Sequence, residues 1–216
     1  MVNIYARAAL LTLLIVGAWI GFSFTFEGQR TAQLLTQIDA VIAQENATQT
    51  YLDYVESTGD TQRYCSVLGN HIQLQNEQLF PLLSELDAAS QNLLSNDFET
   101  IRERFQSANA QLFFTLKKFE QKCPDSTKLK HPILYFFPDH TMCTDCAVQA
   151  KILDTIRDTC EQPIQIFAFP VNGGISTIDL LVRDYQIKTT PSLVIGERVY
   201  AGVQSQEKLT GLLGCE

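Results

Sequence analysis

Two cysteines stand two residues apart in Cys143-Thr144-Asp145-Cys146, where an apolar run, residues 133–137, gives way to a helical pattern. Such a pair serves three chemistries: a structural disulfide, part of a metal site, or reversible dithiol–disulfide exchange. At a helix start, free N–H groups and the dipole stabilise a thiolate, which would make Cys143 the nucleophile. Cys146, inside the first turn, would then attack the mixed disulfide at Cys143 and release the substrate. Zinc would draw on His140, Cys143 and Cys146, but a structural site takes four ligands. The next candidates, His131 and Cys160, stand across a strand and at the far end of a helix. An iron–sulfur cluster meets the same shortage. Asp139 and His140 are near enough in sequence to assist proton transfer, against the plainer reading of an exposed loop pair. A protonated His140 would favour the Cys143 thiolate, and Asp145 would oppose it by like charge.

The elements that must position this pair follow from periodicity. Residues 133–137, "ILYFF", read as a short buried strand and "CAVQAKILDTIRDTC" as a helix with Ala147, Ala150, Ile152, Leu153 and Ile156 apolar. "IQIFAF" is the next strand, "ISTIDLLVRDYQI" a short helix, "SLVIG" and "RVYAG" two strands about Gly196-Glu197, and "SQEKLTGLLG" a closing helix that Ser205 can cap. The order is βαβαββα, consistent with an α/β layer.

Upstream, residues 31–122 are rich in Gln, Asn, Glu, Leu and Ala and read as helix. One apolar stripe runs through Leu34, Ile38, Val41, Ile42, Leu52 and Val55 until "ESTGD" breaks it. A second runs through Leu68, Ile72, Leu79, Leu82, Leu86 and Leu93, with Pro81 placed to kink or divide it. A third runs through Phe98, Ile101, Phe105, Ala108, Leu112, Leu116 and Phe119, entered from a turn where Asn96 or Asp97 can cap. If the second and third helices form a hairpin, Cys65 and Cys123 fall near the same end, and a structural disulfide between them is expected. The three stripes can bury one another as a spacer, or present a surface for a partner or a second copy of the chain.

Residues 8–26 carry no charge and at helical rise would reach nearly across a bilayer core. They are expected to be an uncleaved anchor rather than a signal peptide, because the stretch ends in aromatics rather than a small-residue cleavage site. Arg7 before it and Glu27 after it orient residues 1–27 as a cytoplasmic terminus plus anchor, with the chain beyond outside a cell membrane. All six cysteines, Cys65, Cys123, Cys143, Cys146, Cys160 and Cys215, follow the stretch, which suits an oxidising compartment. A net charge of −8 speaks against nucleic acid as a partner.

The C-terminal part, residues 126–216, resembles the thioredoxin superfamily. The resemblance rests on "ILYFF" leading into Cys143-Thr144-Asp145-Cys146, on Thr190-Pro191 leading into "SLVIG", and on the glycine-containing hairpin before a final helix. It implies a thioredoxin-like α/β domain with a central mixed sheet, preceded by the transmembrane helix and by an all-α hairpin or bundle over residues 28–125. It also implies a cis bond at Thr190-Pro191 beside the cysteines, with Thr190, Pro191 and Met142 meeting an extended substrate. The family's usual tryptophan before the first cysteine is Met142 here, and its buried aspartate is missing from "ILYFF". The resembled fold brings the ends of two helices together, so Cys160 and Cys215 would form a second structural disulfide; two buried thiols or a relay pair are the rivals. The activity implied is that of a membrane-anchored, extracytoplasmic thiol–disulfide oxidoreductase of the cell envelope. It would act on exported cysteine-containing proteins with a membrane redox partner, and its own disulfide would stand in place of a dissociable cofactor. A tethered scaffold whose helices bind a partner is the alternative.

Overall fold

A computed structural model describes residues 4–90, 95–124, 131–139, 142–161 and 164–215, with side chains at most of them. Three long helices come first: α1 over Ile4–Ser57, α2 over Thr61–Ser90 and α3 over Ser95–Lys122. The break between α1 and α2 is local chemistry. Gly59 adopts a φ of 75°, open to a residue without Cβ, and the Asp60 carboxylate accepts the Arg63 N–H at 3.0 Å, capping α2. Pro81 lies inside α2 without dividing it. Helix α3 already includes residues 96 and 97, so neither precedes it as a cap; their side chains, and Leu93, lie outside the described residues.

The apolar stripes face inward. Leu34, Ile38, Leu52 and Val55 of α1, Leu68 and Ile72 of α2, and Ile101, Leu112 and Leu116 of α3 are buried in one core. Gly69 lets α3 come close, since a Cβ there would meet the Phe119 ring at 3.3 Å. At the same end, Cys65 is bonded to Cys123 with Cα atoms 5.7 Å apart.

The rest of the chain runs β1 (His131–Pro138), α4 (Thr144–Thr159), β2 (Ile164–Val171), α5 (Ser176–Asp184), β3 (Ser192–Ile195), β4 (Arg198–Ala201) and α6 (Gln206–Leu213). The strand order is β2-β1-β3-β4, with β1 parallel to β2 and antiparallel to β3. Gly196 and Glu197, at φ 53° and 68°, make the two-residue turn between β3 and β4, a hairpin geometry that requires positive φ at both positions. Strand alternation divides β1 between two cores. Leu134 and Phe136 join the core of α1–α3, while Ile133 and Tyr135 join a second core with Leu153 and Ile156 of α4 and Leu209 of α6. Cys160, at the end of α4, is bonded to Cys215, just after α6.

Two expectations are corrected. The chain is predominantly helical and, among the described residues, its sheet has four strands, so it is not an α/β thioredoxin-like domain with a helical region in front of it. The reason is packing: α3 and α5 cover one face of the sheet, and a single core runs from α1 through α3 into β1, β2 and β3. That face of the sheet therefore shares its core with the bundle, while the other packs on α4 and α6. The membrane anchor is corrected as well. Residues 8–26 belong to the 54-residue α1, and among the described residues no helix is long and apolar enough to cross a membrane. The single-pass localisation and the inside–outside orientation fall with the anchor.

Inside the bundle lies a polar cluster that the stripes do not announce. Glu45 of α1 is buried and accepts from His71 Nε2 at 2.5 Å, Gln49 at 2.7 Å, Thr115 at 3.3 Å and also Gln75. Burial alone would push its carboxyl up. The hydrogen bonds and the charge of His71, with Gln49 and Thr115, outweigh that and hold it below the usual range. Glu45 therefore adds stability above the ordinary carboxylate range, lost as pH falls through the lower folded value. Glu45→Ala, which strands His71 and its neighbours in the core, is expected to cost about 3–5 kcal/mol in urea unfolding at neutral pH. Glu45→Gln should flatten the acid limb of the stability profile relative to wild type.

Candidate functional site

The chain leaves β1 at Pro138 and re-enters regular structure at α4, with Cys143 as the N-cap in an extended conformation (φ −128°, ψ 98°). Its sulfur accepts the Cys146 N–H at 3.1 Å, in the place a serine or aspartate oxygen would take at other helix starts. The same N–H would meet a thiolate in the reduced state, where helix geometry favours negative charge. The two sulfurs are bonded, with Cα atoms 5.2 Å apart. Their surroundings differ: Cys143 is half-buried beside a wholly exposed Met142, whereas Cys146 is only 7% exposed and packs in the second core. Cys143 is thus the outer and more exposed of the two cysteines, and Cys146 the inner one.

Two residues that the sequence motif does not mention fix the helix that carries the inner cysteine. The Tyr135 hydroxyl, on β1, donates to the Cys146 carbonyl at 2.7 Å. Burial pushes that phenol up to about 12, so it stays a neutral donor. Three residues along α4 from Cys146, Gln149 is fully buried and its Oε1 accepts the Gln204 N–H at 2.6 Å, tying α4 to the segment before α6. The alternation of "ILYFF" could have marked Tyr135, because it shares the α4 side of β1 with Ile133. No comparable signal marks Gln149.

Thr190-Pro191 is a cis peptide bond. The register of β3 on β1 pairs Ser192 with Phe136, so Pro191 lies at the C-terminal end of β1, from which the chain runs on to Cys143. Pro191 is buried and Thr190 half-buried, and the Pro191 carbonyl accepts the Gly202 N–H at 2.8 Å. The structure thus brings Thr190, Pro191, Met142 and the cysteine pair to one end of the sheet. Cys65–Cys123 and Cys160–Cys215 are placed away from it, in the bundle and at the ends of α4 and α6.

Of the pair considered for proton transfer, His140 lies outside the described residues. Asp139 is held by Arg102 of α3, with Nη1 to Oδ1 at 2.6 Å and Nη2 to Oδ2 at 3.1 Å, and its side chain is 6% exposed. Its carboxylate is engaged in structure. Among the zinc candidates, Cys160 is committed to Cys215.

Tyr135→Phe removes one neutral hydrogen bond and is expected to lower stability by about 1 kcal/mol, read as a shift in the urea midpoint without a change in slope.

No protein-family model matches the chain, and no curated protein does. Among solved structures, one titled "Structure of a malarial protein" is similar at 20% identity over 40% of this chain and 96% of its own, with a TM-score of 0.31. A likeness of that size carries no argument about fold or function.

Proposed function

We propose that the chain is a thiol–disulfide oxidoreductase that acts on protein cysteines through Cys143 and Cys146. The observation that carries this reading is the asymmetry of the pair. Cys143 is half-buried at a helix N-terminus with the Cys146 N–H aimed at its sulfur, and Cys146 is buried one turn along the helix. Structural bridges need no such division. The likeness to the thioredoxin superfamily in Cys143-x-x-Cys146 and Thr190-Pro191 points to the same chemistry.

In the oxidised protein, a substrate thiolate attacks Cys143 Sγ, the Cys143–Cys146 bond breaks, and Cys146 leaves as a thiolate that takes up a proton. A second substrate thiolate then attacks the mixed disulfide, a substrate disulfide forms and Cys143 is released reduced. The electron pair moves from substrate to protein; run backwards, the same steps reduce a substrate disulfide. The helix N-terminus stabilises Cys143 as attacking or leaving thiolate in either direction. The pair is itself the redox group. The exposed Met142 and the half-buried Thr190 would meet a substrate chain, Pro191 itself being buried.

With Cys146→Ser, reduced protein mixed with a disulfide-bonded protein such as insulin is expected to accumulate a covalent adduct through Cys143, because the resolving thiol is gone. Cys143→Ser should form no adduct and lose turnover. If Cys146→Ser forms none either, the pair is not an exchange centre, and the alternative of a binding scaffold takes its place.

A further inference from the structure

Strand β2 stands last in the order β2-β1-β3-β4, so among the described residues one of its edges has no strand beside it. Such an edge offers a row of N–H and C=O groups with which a further extended chain can pair, and folded proteins blunt it with charges, bulges or a covering element. β2 runs for eight residues, IQIFAFPV, without a charge. Outside the regular ladders, the one backbone hydrogen bond that reaches it among the described residues is from Asp139 N–H to the Val171 carbonyl, and that comes from the β1 side. Helix α2 meets β2 at a side chain rather than at the strand's main chain: Gln165 Nε2 donates to Asn76 Oδ1 at 2.6 Å.

Beside that contact, Phe80 and Leu83 of α2, Phe105 and Gln106 of α3, and Ile166 and Ala168 of β2 line a pocket of about 50 Å³. Phe80 and Leu83 are 37% and 39% exposed at its lip. Ile166 and Ala168 are the two members of β2 left partly exposed, and their spacing of two puts them on the same side of the strand. Gln106 is 7% exposed, and its buried Oε1 has no hydrogen-bond partner. A buried acceptor without a donor is unfavourable, and an N–H or O–H brought in by a ligand would meet it. Sites for small molecules run to about 300 Å³ and more, so this one has room for a single side chain.

We infer that the outer edge of β2 is a docking site for an extended, uncharged segment of another protein, which pairs its main chain with β2 and sets one apolar side chain into the pocket. In that mode of recognition the main-chain bonds supply affinity and the pocket supplies selectivity. The occupant is a peptide segment rather than a second copy of the chain, because an eight-residue strand and its pocket fall short of the roughly 20–30 residues a side that a stable dimer buries. The surface is independent of the redox reading above.

The test uses the full chain and fluorescent peptides of eight residues, the length of β2, in which Thr alternates with Val, Leu or Phe, read by fluorescence anisotropy. At least one is expected to bind with a dissociation constant below about 1 mM, and its fully N-methylated counterpart, which cannot donate main-chain bonds, about tenfold more weakly. Ala168→Lys, which charges the edge, should weaken binding about tenfold, and Gln106→Leu, which removes the unpaired acceptor, about fivefold. Each variant is first shown to be folded by circular dichroism; Gln106→Leu leaves no orphaned polar group and serves if Ala168→Lys does not fold. The inference is overturned if none of the peptides binds, if the N-methylated form binds as well as its parent, or if either folded variant stays within about twofold of wild type. It is overturned too if sedimentation shows a wild-type dimer that Ala168→Lys converts to monomer, since the edge would then belong to a second copy of the chain.

Discussion

The contact on which the rest of the structure depends is the edge of the Phe113 ring against the rings of Phe167 and Phe169. The centroids are 5.5 and 6.4 Å away and the planes steeply inclined, as aromatic quadrupoles prefer. Phe113 is on α3 and the other two are on β2, so this cluster joins the bundle to the sheet. Phe136 of β1 extends it, at 6.0 Å from Phe169. A small sheet gains stability by packing a face against helices, and here one face is covered by α3 together with α5. Once α3 is seated, Arg102 falls beside the stem after β1 and Lys117 beside the β3–β4 turn, where it bonds Glu197 at 2.7 Å. The same seating delivers both of these polar contacts.

The helical stripes were legible because burial on one face leaves a 3.6-residue period, and Leu34, Leu68, Ile72 and Leu112 are buried where that period puts them. Periodicity says which face is apolar, but not what covers it. That is why the packing of α3 onto the sheet was not legible, and why an independent α/β domain was expected. The uncharged stretch after Arg7 misled in a related way: absence of charge was read as a membrane span, whereas those residues open a helix that continues without a break to Ser57. Polar contacts were the least legible. Arg102 and Asp139 are 37 residues apart, and Glu45 and His71 are 26 apart; none has a neighbour in sequence that would announce its partner. At the site, the position of Cys143 at a helix start was readable from a local change of period. The bond from the Tyr135 hydroxyl to the Cys146 carbonyl required the fold.

The three disulfides divide by what opening each would release. Cys65–Cys123 and Cys160–Cys215 close separations of 58 and 55 residues, so each constrains a long loop of the unfolded chain. Cys143–Cys146 closes a separation of 3, restrains almost nothing of that kind, and leaves a reduced form that the N-terminus of α4 can stabilise. The central claim is that this pair alone is poised to exchange. Differential alkylation of the folded chain across a graded series of dithiothreitol concentrations, with each cysteine followed by mass spectrometry, tests it most directly. Cys143 and Cys146 should become labelled together at a reductant level that leaves the other four cysteines protected. Opening of either long-range bridge at or below that level would contradict the account.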